Sequence, residues 1–246
     1  AAVISNSISP VDPMYETWTD LYAKVEWQPV RKNIIGAYML KRSDKGAGEG
    51  TSFRKREPTY LGVRYNGKLS GKIASIEPWF DAAKMTGQDK GRDLDAWEVD
   101  LGTTVTGKYI RFMPHATLGY AVGSGDANQS GARTTDKRFR QTGYQDNSGR
   151  FGGVVAFKYY GEVLNPELCN MKITTVGIGM RPTAESSIDL LYHSYRQSYP
   201  EDQIKGADLI DPPAVPDGVN SDLGWALTLV VGSPKIWNRM RVACIL

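Results

Sequence analysis

From Asp95 to Val105 the side chains alternate without a break. Trp97, Val99, Leu101, Thr103 and Val105 fall on one side; Ala96, Glu98, Asp100, Gly102 and Thr104 fall on the other. Successive strand residues point to opposite faces, so this stretch makes a strand with one apolar and one polar face. A helix would scatter both sets around its circumference. A sheet of such strands has two homes. In water the apolar face packs into a core; in a membrane barrel it meets lipid and the polar face lines a wet lumen.

The same alternation recurs. In Asp20 to Trp27, Leu21, Ala23, Val25 and Trp27 oppose Asp20, Tyr22, Lys24 and Glu26. Tyr60 to Tyr65 repeats it, and Asn66-Gly67 then reads as a hairpin turn, because both central positions need positive φ. Val155, Phe157 and Tyr159 oppose Lys158, Tyr160 and Glu162, which predicts a strand over Val154–Glu162. Asn33–Lys41 is apolar on both sides, so its orientation is not readable. Pro78 is expected to end or bulge its strand, since it cannot donate to a ladder. Gln28 to Arg31 reads as a turn and Thr86–Asp93 as a charged loop. Thr106-Gly107 reads as a tight turn into a long strand, Lys108–Val122. Residues 1–13 read as irregular, and 43–56, 123–149 and 198–220 as long loops. If connections alternate sides, loops 123–149 and 198–220 leave opposite ends of the sheet.

This makes about eleven strands spaced about 22 residues apart, against the 8–12 expected of a sandwich. Long strands joined by tight turns and long polar loops fit an antiparallel transmembrane β-barrel, with residues 1–246 as a single partial barrel domain. A soluble carbohydrate-binding β-sandwich is the alternative; it requires a second sheet over the Trp97/Val99/Leu101 face. No run approaches the roughly 20 apolar residues of a spanning helix. The N-terminal stretch has neither a basic region nor a sustained apolar run, so no signal peptide is read there.

The net charge of +3 is too mild for a dedicated nucleic-acid binder. Cys169 and Cys244 have no CxxC or Cys/His spacing, which argues against a zinc site; they read as two unpaired apolar residues, with pairing in an oxidising compartment as the alternative. His115 and His193 lie in separate strands, and no GxSxG, HExxH or P-loop pattern occurs. The carboxylates of Asp93/Asp95 and Glu98/Asp100 read as a solvated face rather than a glycosidase pair. The expectation is a protein that is not an enzyme, with no cofactor and no metal.

Several stretches carry a resemblance. They are Ser124-Gly125-Asp126, the run Phe139-Arg140-Gln141-Thr142-Gly143, and Gln145 to Gly153. Tyr160-Gly161-Glu162, Asn165-Pro166-Glu167-Leu168, Leu191 to Gln197 and Ser221 to Gly224 complete the set. Together they resemble the C-terminal half of the alginate-export outer-membrane porin family, over Leu94 to Gly232. The resemblance implies a monomeric barrel of about 18 strands, of which this chain would supply part. It implies an integral outer-membrane location among lipid and lipopolysaccharide, an anionic polysaccharide as passenger, and periplasmic secretion-complex proteins as candidate partners.

On the alternation, Lys24, Arg64, Arg111, Lys158, Arg239 and Arg241 project to the polar face, with Tyr22, Tyr60 and Tyr160 beside them. Facing cations in a low-dielectric wall concentrate a polyanion, and Arg forks bind carboxylates bidentately. Tyrosines can stack on sugar rings or donate hydrogen bonds. Arg138, Arg140 and Arg150, in the long loop, are candidates to fold inward and gate such a pore. Asp20, Glu26, Glu98, Asp100 and Glu162 share the polar face, so a lumen of structural ion pairs is the competing reading. In that case the barrel is a structural or docking component of an envelope complex.

Overall fold

The computed structural model describes residues 2–7, 18–44, 56–127, 134–142, 147–204 and 216–233. It is all-β. The long strands are β1 (Ala2–Ser7), β2 (Trp18–Val30), β3 (Asn33–Asp44), β4 (Arg56–Asn66), β6 (Ala74–Asp89), β7 (Arg92–Gly107), β8 (His115–Gly123), β12 (Met171–Thr183), β13 (Ser186–Gln197) and β14 (Asp222–Gly232). They form one sheet in the order β1-β2-β3-β4-β6-β7-β8-β12-β13-β14, each antiparallel to its neighbours. Short β5 (Leu69–Ser70) pairs with β6, and β9 (Thr135–Asp136) pairs in parallel with β7. β10 (Ser148–Gly149) and β11 (Phe157–Lys158) make a separate two-stranded piece. β1 and β14 stand at the two edges of the sheet.

Several strand boundaries differ from the sequence reading, each for a local reason. Ala2–Ser7, within the stretch expected to be irregular, is a strand because its backbone pairs with Trp18–Ala23. β2 runs on through Gln28 to Val30 past a register shift, and the turn falls at Arg31-Lys32, where Lys32 has φ 65°. Pro78 neither ends nor bulges β6, whose register against β7 is continuous. Its carbonyl accepts from Gly67 N at 3.0 Å. In an antiparallel strand a residue's N–H and C=O point the same way, so the missing donor faces the point where β4 stops pairing at Asn66. The stretch Thr86–Asp93 is the end of a hairpin, because Lys90 and Gly91, with φ of 51° and 76°, supply its two-residue turn.

Two larger corrections bear on function. Lys108–Val122 is not one strand. Phe112 and Met113 have φ of 68° and 40°, Gly107 N donates to Pro114 O at 2.8 Å, and β8 begins only at His115. Val154–Glu162 is not a sheet strand either; only Phe157–Lys158 pairs, with Ser148–Gly149. Positive φ at Gly152 (87°) and Gly161 (92°) bends the chain at both ends of this stretch. With that strand removed from the count, segments 123–171 and 197–222 leave the same end of the sheet. The connections at 31–32, 66–74, 107–115 and 183–186 share the other, while the Lys90-Gly91 turn lies with the long segments.

The two faces of the sheet differ as the alternation predicted. Outward lie Leu21, Val25, Trp27, Leu61, Val63, Leu118, Ile178 and Trp225, all exposed. No second sheet covers this bare face among the described residues: Trp97 and Leu101 keep 44% and 43% of their surface. The sandwich expectation fails on that point. The orientation of β3, unreadable in sequence, is set by its neighbours. Gly36 and Leu40 are buried on the inner side, and Ile35 is exposed on the outer.

Candidate functional site

The inner face is covered by the chain between β8 and β12. Phe139, Tyr160, Leu164 and Leu168 of that connection are buried with Leu40, Tyr60, Met85, Leu94, Ile173 and Tyr195 of the sheet. Phe151 stacks on Trp79 at 5.2 Å and on Tyr159 at 5.2 Å. The expected alternation does not hold there: Phe157 is buried, Val155 and Tyr159 only partly, and Tyr160, expected on the polar side, is buried as deeply as Phe157.

The family-like motifs are what dock the insert. Ser124 Oγ accepts from Trp97 N at 2.9 Å and donates to Lys137 O at 2.7 Å. Its carbonyl takes the N–H groups of Phe139 and Asn170 at 3.0 and 3.2 Å. At the glycine pair Gly152-Gly153, Arg181 donates from Nε to Gly152 O at 2.7 Å and from Nη2 to Gly153 O at 3.0 Å. Val154 N donates to Ser187 Oγ at 3.0 Å, and Ser187 donates to Asp189 Oδ2 at 2.8 Å. A Cβ on Gly152 would lie 2.7 Å from the His115 ring and one on Gly153 2.4 Å from Asp189, so glycine permits the close approach. Tyr195 donates to Tyr160 O at 2.8 Å.

Between the insert and β4, β6 and β7 lies a cavity of about 370 Å³. Arg64, Arg150, Glu77, Asp81, Glu98 and Asp100 supply its charge, so carboxylates outnumber cations there. Arg64 donates to Asp81 from Nε at 2.8 Å and Nη2 at 2.5 Å. Tyr38 donates to the other oxygen of Asp81 at 3.1 Å. Asp100 takes Trp79 Nε1 at 2.9 Å and Tyr160 OH at 2.8 Å, one on each oxygen. Glu98 is 3% exposed, and its Oε1 has no hydrogen-bond partner.

The sequence-predicted residues are placed as follows. Lys24 and Tyr22 are on the inner face, lining a 90 Å³ cavity with Arg64 and Tyr38; Lys24 pairs with Glu26 at 2.7 Å. Arg64 is on the inner face but already paired. Arg111 is not on a strand; it sits in the exposed turn before β8, its guanidinium 4.6 Å from the Phe112 ring. Lys158 belongs to β11 of the insert rather than to the sheet, where its N–H donates to Glu162 Oε1 at 2.8 Å. Tyr60, edge-on to Phe139 at 6.0 Å, is buried under the insert, and Tyr160, itself in the insert, is buried against the sheet, so neither presents a face to a sugar. Arg239 and Arg241 lie outside the described residues. Arg150 lines the cavity. Arg140 instead bridges Asp89 and Asp136, at 2.5 Å to each, and Arg138 pairs with Asp136 at 3.0 Å. Burial alone would raise the Asp136 carboxyl. The hydrogen bonds from Arg138 and the charge of Arg140 outweigh it and hold the group below its ordinary range.

Sequence reasoning missed one buried pair. His115 Nε2 lies 2.5 Å from Asp189 Oδ1, and both side chains are buried. The aspartate joins Ser187 to His115, so no hydroxyl faces the imidazole as a nucleophile would. The pair acts as an anchor beneath Gly152 and Gly153.

These features define a class: an all-β protein whose sheet keeps its apolar side bare and folds a long insert onto its polar, ionic side. The family model for alginate export matches residues 12–243, and the chain belongs to that family. It is also similar to the alginate production protein AlgE of Azotobacter vinelandii, with 28% identity over 149 residues. That match covers 58% of this chain and 29% of the relative, so the chain spans about three-tenths of that protein's length.

Proposed function

We propose that this chain is part of an outer-membrane β-barrel, the apolar face against lipid and the insert-covered face toward a lumen. Through it an anionic polysaccharide of the alginate type passes passively, without turnover. The observation that carries this reading is the exposure of the outer face. Each Leu- or Trp-sized side chain left in water forgoes about 1.5–3 kcal/mol of burial. A row of them across neighbouring strands (Leu61, Val63, Trp97, Leu101, Leu118, Ile178) is costly in water and favourable in hydrocarbon. Family membership supports the substrate class.

A second reading is kept because the insert favours it. With residues 147–170 packed on the inner face, the lumen side is occupied, and carboxylates outnumber cations in the cavity. A barrel that never releases this segment would be a structural component of an envelope complex. Single-channel conductance of the complete protein in planar bilayers separates the two. Anion-selective current that an added polyuronate blocks supports export. Absence of current from folded, inserted protein sinks it and leaves the structural reading.

A further inference from the structure

Among the described residues, four of the five short connections gather at one end of the sheet, which is basic; the Lys90-Gly91 turn lies at the other. The β2–β3 turn carries Arg31 and Lys32, the 66–74 segment Lys68 and Lys72, and the β7–β8 turn Lys108 and Arg111. They are contiguous. Asn33 reaches Lys68 O, Lys108 Nζ donates to Gly71 O at 3.0 Å, and Lys108 N donates to Ile73 O at 2.9 Å. The acids of these turns and strand ends are Glu77, already paired with Lys68, and Glu185. No carboxylate among the described residues pairs with Arg31, Lys32 or Lys72.

Between the β2–β3 turn and the 66–74 segment runs an open groove of about 810 Å³. Its basic rim is Arg31, Lys32 and Lys68; its floor is apolar, with Val30, Leu69, Ile73 and Ile76. Ile73 and Val30 are 78% and 64% exposed. Ile76 pairs across to Val105 and Leu69 across to Ile76, so the floor runs directly onto the bare apolar face.

We infer that this groove is a binding site for an anionic glycerophospholipid. Its phosphodiester would sit among Arg31, Lys32 and the nearby Lys72, and one acyl chain would run along Leu69, Ile73 and Ile76 onto the outer face. Guanidinium and ammonium groups bind phosphate oxygens through charge-assisted hydrogen bonds. Cations beside exposed aliphatic and aromatic chains at a strand end match the headgroup boundary, where basic side chains meet anionic lipid. Short turns mark the periplasmic end of a bacterial barrel, which faces a glycerophospholipid leaflet. The inference rests on the membrane-barrel reading above.

The test uses the complete protein, folded in detergent, with phosphatidylglycerol or phosphatidylcholine of matched chains added and bound lipid counted by native mass spectrometry. Phosphatidylglycerol is expected to be retained at least about tenfold over phosphatidylcholine, on the scale of a few basic contacts. The triple variant R31Q/K32Q/K72Q should lose that preference, whereas K41Q/K90Q/K172Q, of equal charge change at the opposite end, should keep it. Conductance measured on the same samples should be unchanged by R31Q/K32Q/K72Q. Equal retention of both lipids, or equal loss in both triple variants, overturns the site while the barrel reading stands. Protein that stays dispersed without detergent overturns the barrel reading itself.

Discussion

His115 Nε2 and Asp189 Oδ1, 74 residues apart in sequence, meet at 2.5 Å beneath the Gly152-Gly153 bend of the insert. β8 and β13 are not neighbours in the sheet; β12 lies between them and presents Gly179 there, where a Cβ would be 2.3 Å from the imidazole and 2.5 Å from the carboxylate. The glycine leaves the gap that the pair crosses. Asp189→Ala leaves the imidazole buried without its partner. A loss of about 3 kcal/mol is expected, the usual scale for breaking a buried charged or hydrogen-bonded pair. Unfolding in detergent, followed by heat-dependent gel mobility, reads this directly; an unchanged midpoint would mean the pair holds nothing.

Gly152→Ala tests the docking of the insert rather than of the sheet. At φ 87° a Cβ is strained, and it would also press on the His115 ring at 2.7 Å. Strain of this kind costs about 1–3 kcal/mol. Limited proteolysis should therefore cut the variant's 147–170 segment faster, with strand protection unaltered in hydrogen exchange. Under the export reading the same variant should also open more often in single-channel records.

Arg64→Gln should shift selectivity without abolishing current. It removes the cation that Asp81 holds at 2.5 Å and leaves Glu77, Asp81, Glu98 and Asp100 facing Arg150 across the cavity. Reversal potentials in asymmetric salt should move toward cations. Insensitivity to the change would place the constriction elsewhere, because charge sets selectivity only at the narrowest point.

The Asp136 carboxylate, held low by Arg138 and Arg140, makes docking of residues 134–142 pH-dependent in one direction. A depressed folded-state value contributes stability that is complete above the ordinary aspartate value of about 3.9 and is lost as pH falls through the folded value. The protection factors of the Arg138 and Phe139 amides, with exchange corrected for its intrinsic pH dependence, should fall below that pH and stay flat above it. Asp136→Asn should remove the pH step.

Cys169 is buried, and burial pushes its thiol up to about 12. Since the thiolate is the reactive form, maleimide should fail to label this residue in folded protein near neutral pH and should label it after denaturation. Labelling of the folded protein at Cys169 would show that the segment before β12 opens.

Much of the candidate site stood in the sequence only as composition. That Arg64 and Lys24 face inward follows from alternation alone, whereas their pairing with Asp81 and Glu26 is a matter of register and rotamer. Arg111 went astray because Phe112 and Met113 adopt left-handed backbone angles that their residue types do not advertise. Val154–Glu162 misled for a different reason. Its apolar residues serve an insert that packs through both sides, with Phe157 and Tyr160 both buried, so the apparent period of two reports neither a strand nor a single buried face.

What the sequence determined by itself is therefore local. The period of two assigns each strand residue to a face, and it set one apolar and one polar side on β2, β4, β7 and β14. The glycine and serine motifs also marked the family. Only the tertiary structure decided what covers the polar side, which carboxylates claim the cations, and which end each long connection leaves. Those depend on contacts between residues far apart in the chain, such as His115 with Asp189 and Arg140 with Asp89. Strand register and the path of one insert create them, and neither has a signature in nearest-neighbour periodicity.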